Sequence, residues 1–383
     1  MRGKAHLFVT SVVACFLIIS MTVFGDLVSE VQAGMQGDPV LQKHEQMPDL
    51  VSVLELNIRG FSDFGFSVPI MDEEYSSTFT LGELDFFMTS EIGERVSFLA
   101  ETVFYFSYFS PNTNRQFFTL QRASLKYSLS DILNITIGKN HTALGYWNHA
   151  FHHGSWLQTT ILRPEVYRFE YEGGVLPVHS VGIELSGAKA FDALDVEYHL
   201  GVFNGRGRTS LESQFVNDLN DSKAINALLS LKPHFAKGLK LGANIYRDTI
   251  PPDPLVLTRT DEIDEQILGG HVAYIHKGTE LIGEVFQIHH DDKTSGKEFD
   301  TVGYYLQASY KIKKFTPYYR FDSLDFEDGD PFFTLRNFDI SIHTLGLKWD
   351  VFTWNALKLE YSASDEQDED NEHSIRVNSS FAF

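Results

Sequence analysis

Ser374-Ile-Arg-Val-Asn-Ser-Ser-Phe-Ala-Phe383 alternates with a period of two. Ile375, Val377, Ser379, Phe381 and Phe383 fall on one face, and Arg376, Asn378 and Ser380 on the other. That period places successive side chains on opposite faces of an extended strand, so the decapeptide has one apolar face and one wet face. The same pattern recurs upstream. Leu194, Val196, Tyr198, Leu200 and Val202 alternate with Asp195, Glu197 and His199, and Val302 to Tyr310 repeats the arrangement.

Such stretches number about sixteen between residue 51 and the end, beginning with 51–59 and 79–89 and ending with 356–363 and 374–383. The gaps between them alternate in length. Those at 60–78, 105–116, 141–177, 248–266, 289–300 and 323–340 are long, whereas Ile92-Gly93-Glu94, 129–131, Lys277-Gly278 and 311–313 are short. A soluble sandwich has no reason to keep that rhythm. A transmembrane barrel does, because short periplasmic turns alternate with longer extracellular loops. The predicted fold is therefore all-β: an antiparallel transmembrane barrel of about sixteen strands over 51–383, with a long third extracellular loop at 141–177.

Composition agrees. Aromatic residues make up 14% of the chain, with 32 Phe and 16 Tyr, yet no long apolar run follows the first two dozen positions. A barrel hides its hydrophobicity by alternation, whereas a helical span needs about 18 or more consecutive apolar residues. Arg2 and Lys4, then Leu7 to Phe24, then Val31-Gln32-Ala33 read as a signal peptide over 1–33, cleaved near Ala33. Residues 34–50 read as a short periplasmic lead-in. Cys15 is the one cysteine and lies in the leader, so disulfides and thiolate metal sites are excluded from residues 34–383. A net charge of −21 argues against a nucleic-acid partner.

An alternating strand ending on an aromatic carboxylate, here Phe383, resembles the insertion signal of Gram-negative outer-membrane proteins. With the strand number and loop rhythm, the chain resembles the porins over its whole mature length. Residues 138–187, with Gly138-Lys139 and Gly182-Ile183-Glu184-Leu185-Ser186-Gly187, show a weaker similarity to the phosphate-selective porin group. The resemblance implies the outer membrane as location, lipid as surroundings, small hydrophilic solutes or ions as cargo, and a homotrimer. In general porins the third loop folds into the barrel, so 141–177 becomes a candidate constriction.

Strand parity supplies candidate pore-lining charges, because Arg or Lys on the lipid face costs about 2–4 kcal/mol at the midplane. The basic candidates are Arg122, Lys126, Arg320, Lys358 and Arg376, and the acidic ones Glu83, Asp85, Glu101, Glu197 and Glu360. The bland reading of each is a hydrated wall charge away from any narrow point. Arg163, Glu165, Arg168, Glu170 and Glu172 are the charges of the candidate constriction loop. Opposed charges across a narrow lumen set a field that sorts ions and polar solutes. Acidic runs at 322–330 and 365–372 read as solvated loops.

His149, His152 and His153, flanked by His141 and His179, form a weak metal-like cluster without the spacing of a helical His pair. Ordinary loop contacts are the simpler role, and no cofactor is expected. Ser155 beside His153-Gly154 lacks an accompanying oxyanion motif, so an esterase barrel is disfavoured and no enzyme is predicted. Tyr127, Tyr146, Trp147, Tyr310, Tyr319, Trp349, Trp354 and Phe383 are predicted membrane-interface anchors. The favoured function is a passive diffusion channel. The rival is a barrel that captures a metal or surface partner through its histidine-containing and acidic loops, with little conduction.

Overall fold

A computed structural model describes residues 56–70, 77–107, 115–151, 155–169, 172–210, 217–255, 259–334, 338–367 and 371–383. The leader, the lead-in and the cleavage position lie outside these residues. So do Glu170, His152 and His153.

Sixteen antiparallel strands close into one barrel in sequential order. They are β1 Leu56–Ile70, β2 Thr78–Ile92, β3 Val96–Ser107, β4 Arg115–Ser130, β5 Leu133–His141, β6 His179–Ala190, β7 Leu194–Phe203 and β8 Ala224–Pro233. The second half comprises β9 Leu239–Ile250, β10 Ile263–His276, β11 Thr279–Asp292, β12 Lys297–Tyr310, β13 Phe315–Phe326, β14 Ile340–Phe352, β15 Asn355–Glu366 and β16 Glu372–Ala382. Every predicted strand has its counterpart.

The largest displacement is β1, which runs to Ile70 rather than stopping at 59. Gly60, Gly65, Pro69 and the serines of this stretch look like loop chemistry, but pairing with β16 from Phe61↔Ala382 to Ile70↔His373 holds them extended. The predicted long gap at 289–300 is likewise a tight turn at 293–296, because β11 and β12 pair out to Asp292↔Lys297. At the opposite end, Lys277 and Gly278 both have positive φ (49° and 87°). That is the pattern of a two-residue hairpin turn whose twist matches its strands.

The seam between first and last strands is completed by Phe383. Its N–H donates to the Gly60 carbonyl at 2.9 Å, and the Gly60 N–H donates to its carbonyl at 2.8 Å. A closed sheet leaves no strand edge, so every wall backbone group can be paired inside the membrane. The outer face carries an apolar band, with Leu268, Val272, Leu281, Val285, Leu306, Leu345 and Leu359 exposed around it. Tyr310, Tyr319, Trp349 and Phe383 are exposed, as the anchor reading expects, whereas Trp354 borders a cavity it shares with Trp156 and Leu157 of the segment between β5 and β6. Tyr146 and Trp147 do not stand outward, since both belong to a segment that turns into the lumen.

The inner face departs from the expectation of an evenly polar lumen. Tyr246, Ile250, Ile263, Ile267, Phe286, Ile288, Tyr305 and Leu324 point inward and are buried. They pack on Leu144, Trp147, Val166, Tyr167, Val175 and Leu176 from the segment between β5 and β6. Each such aliphatic or aromatic side chain contributes about 1.5–3 kcal/mol by leaving water. The β7–β14 side of the barrel therefore holds a packed apolar core that fixes the segment in place.

Candidate functional site

The 37-residue segment 142–178 crosses the lumen, and wall side chains hold it by its backbone. Asn226 on β8 donates to the Ala143 carbonyl (3.0 Å), and the Gly145 N–H donates to Asn244 on β9 (3.2 Å). The short helix α1 (Trp147–Ala150) begins over β11. There Glu284 accepts the Tyr146 and Trp147 N–H groups at 2.6 and 2.8 Å. The same carboxylate accepts the Tyr305 and Tyr167 hydroxyls at 2.6 and 2.8 Å. Four donors on one buried acid leave it fully satisfied, which makes a charge tolerable in this apolar core. Burial and the adjacent Glu284 carboxylate push the Tyr167 phenol well above its ordinary pKa.

Further along, the ammonium of Lys358 on β15 donates to three carbonyls, those of Ser155, Gln158 and Thr160. Glu360 accepts the Ile161 N–H at 2.9 Å. Arg320 on β13 donates to the Leu162 and Arg163 carbonyls (2.7 and 3.0 Å) while its Nε holds Asp322 at 2.7 Å. Asp322 in turn accepts the Glu165 N–H at 3.0 Å, which opens the 3₁₀ turn Glu165–Tyr167. Trp156 stacks on Phe61 of β1, with centroids 5.9 Å apart. The segment thus leaves β5, passes β8 to β15, reaches β1 and returns to β6.

The predicted charges fall into three groups. Arg320, Lys358 and Glu360 face inward but are buried against the segment, so they are its anchors and not open lining. Glu101 and Asp85 are buried in the β2–β3 wall, Glu101 paired with Arg122, whose guanidinium lies 5.5 Å above the Phe87 ring. Water reaches the remaining wall charges more freely. Lys126 is exposed, and Glu197 bridges Lys232 and Lys240. Glu83 and Arg376 border a cavity between the segment and the β16–β1–β2 wall.

That cavity, about 360 Å³, places Asp63, Glu83 and Glu172 near Arg163 and Arg376. Arg163 lies over the Phe169 ring at 3.6 Å, and Arg168 is 3.6 Å from Glu165. Burial raises the Glu172 carboxyl above its usual range, against the opposing pull of Arg168 and Arg163. A second cavity of about 440 Å³ lies beneath α1 toward the short turns, lined by Asn134, His149, Glu197, His199 and Lys240. Among the described residues, no three His, Cys, Asp or Glu side chains converge on a metal-sized position.

Parity reasoning missed Asn226, Asn244, Glu284 and Asp322, although all occupy inward positions on their strands. The signal for Glu284 is a lone polar group amid apolar inward neighbours, Ile282 and Phe286; Asp322 instead follows the inward Arg320 by two residues, and belongs to the buried end of β13 rather than to the solvated loop expected at 322–330.

No protein-family model matches the chain, and no curated protein does. Solved structures do. The anion-selective porin of Comamonas acidovorans aligns with 86% of this chain and 100% of its own, at TM-score 0.60 and 12% identity. The outer-membrane channel DcaP of Acinetobacter baumannii aligns at TM-score 0.58 and 10% identity, over 86% of this chain and 97% of its own. The trimer form of OmpT of Vibrio cholerae gives 0.55 and 12%, over 86% and 99%. At such identities the likeness speaks for the fold alone, and the fold of this chain is that of the Gram-negative outer-membrane porins.

Proposed function

We propose that the chain is an outer-membrane porin, a passive diffusion channel for small hydrophilic solutes or ions narrowed by segment 142–178. The observation that carries the reading is the segment's arrangement. It is anchored from β8 round to β1, and cavities with charged linings flank it. A dry core on one side and charged cavities on the other direct water through an off-centre path. Fixed charges facing a narrow aqueous space act on solutes with little screening, which makes them selective. Export by way of the 1–33 leader belongs to the same reading. No covalent chemistry is assigned to any residue.

The outer surface supports a homotrimer. Over β16 and β1–β4 it is rich in phenylalanine, with Phe64, Phe79, Phe104, Phe118 and Phe383 exposed and Phe381 half-buried among them. Tyrosine and tryptophan suit a barrel at headgroup level, and over β12–β15 Tyr310, Tyr319, Trp349 and Tyr361 are exposed. A phenylalanine face suits contact with another protein copy better than a lipid interface. Light scattering of the detergent-solubilised protein gives the mass directly, with three chains expected.

Planar-bilayer recording tests the channel itself. Ohmic single-channel steps in 1 M KCl without any added ligand are expected. A membrane that stays silent despite inserted, folded protein overturns the reading in favour of a closed barrel.

A further inference from the structure

His149 and His199 meet in the cavity beneath α1, with ring centroids 4.8 Å apart and planes inclined at 45°. They come from independent elements. His149 lies on α1, whose first turn is fixed by the bonds of Tyr146 and Trp147 to Glu284. His199 lies on β7, where its Nδ1 is 3.1 Å from Glu184 Oε1 on the neighbouring strand β6.

Three features of this pair point to a ligand. A histidine that binds a metal commonly donates its other ring N–H to a carboxylate, which fixes tautomer and orientation. Glu184 does this for His199 and leaves its Nε2 free to coordinate. The spacing also fits. With metal–nitrogen bonds of about 2.0–2.1 Å and tetrahedral angles, two imidazole centroids lie roughly 5 Å apart. Finally, the pair borders an open cavity with room for water or an anion to complete the coordination shell. Glu197, on the same wall, is already engaged by Lys232 and Lys240 and is not a spare ligand.

We infer that His149 and His199 form a two-imidazole site for a borderline divalent transition metal such as zinc or nickel, with Glu184 as the positioning residue. Imidazole donors suit these ions and not magnesium. On the channel reading above, on which this part rests, an ion bound there lies in the water path below the segment and reduces conductance.

The experiment combines two readouts on the full-length folded protein. Single-channel conductance is recorded in chelator-treated 1 M KCl and then titrated with zinc chloride, while calorimetry in detergent follows zinc binding directly. A saturable loss of current is expected, reversed by EDTA and absent with magnesium. His149→Gln and His199→Ala should each weaken it at least tenfold. Glu184→Gln should weaken it by about 10–100-fold with unchanged open conductance. Channels that open normally but ignore zinc, with no calorimetric binding, overturn the site and leave the porin intact. Block that persists in the His149→Gln/His199→Ala double variant overturns it as well. If no channel opens at all, the porin reading fails, and histidine-dependent heat then decides the site alone.

Discussion

At the scale of single residues, two positions carry more of the architecture than their chemistry suggests. A methyl group on Gly60 would collide with the Phe383 ring and lie 2.9 Å from the Asp85 carbonyl. The final aromatic residue and the first strand can close the seam only because this position has no side chain. Gly60→Ala forces the ring or the strand aside, and overpacking of this kind typically costs about 1–3 kcal/mol. The expected result is a lower urea midpoint for loss of the folded band in cold SDS electrophoresis; an unchanged midpoint would mean that the ring swings away freely. Glu284 is the second position. Glu284→Gln replaces one acceptor oxygen with an NH₂ group facing backbone N–H or hydroxyl donors, so at least one buried donor loses its partner. That loss costs about 1–3 kcal/mol. Because the affected donors belong to segment 142–178 and Tyr305, the readout is channel noise: more frequent open-state flicker, with the barrel still folded.

At the scale of elements, segment 142–178 is a tethered strap, and its tethers differ in kind. The β11 end sits in a packed apolar core, whereas the stretch Ser155–Arg163 depends on polar bonds from Lys358, Arg320 and Glu360. Breaking those bonds should release only the second part. In the double variant Arg320→Ala/Lys358→Ala, five bonds to segment carbonyls disappear, each net worth about 0.5–1.5 kcal/mol or more for a charged donor. Single-channel conductance should rise by about half or more and open-channel noise should increase; a conductance equal to that of the parent would mean the apolar core alone holds the segment. This element also marks where the sequence stops being legible. Alternation locates all sixteen strands because lipid acts on every second side chain in the same way. Inward faces have no such common solvent. The inward Ile267, Ile282, Phe286 and Ile288 are as apolar as their outward neighbours, and their burial depends on a segment roughly a hundred residues away. Charge and parity therefore identify Arg320 and Lys358 as inward, but not that both are used up in holding carbonyls. Trp147 is misplaced for the same reason: an aromatic near a strand end suits a membrane interface until its chain turns inward.

At the scale of the whole molecule, the β8–β13 side of the barrel is polarised along its axis, whereas the short turns β2–β3, β4–β5 and β6–β7 carry Glu94, Asp131 and Asp192. The turns β8–β9, β10–β11 and β12–β13 carry Lys237, Lys277, Lys311, Lys313 and Lys314 and no carboxylate. The opposite ends of neighbouring hairpins carry Asp261, Glu262, Asp291, Asp292, Glu327 and Asp328. The net charge of −21 is therefore not spread evenly. A water path whose mouths lie within reach of these acidic outer and basic inner ends acts as a bipolar junction. When the outer side is positive, cations enter through the acidic mouth and anions through the basic one, so both accumulate inside. Reversing the voltage depletes both. The expected result is a current about twofold larger with the outer side positive at 0.1 M salt, where charges act over about 10 Å. At 1 M the reach falls to about 3 Å and the asymmetry should vanish. Replacing Lys311, Lys313 and Lys314 with Gln should bring the low-salt ratio toward one and leave the high-salt conductance alone. Symmetric currents at 0.1 M, with insertion direction fixed by a one-sided impermeant reagent, would show that the mouths lie too far from the ion path to act on it.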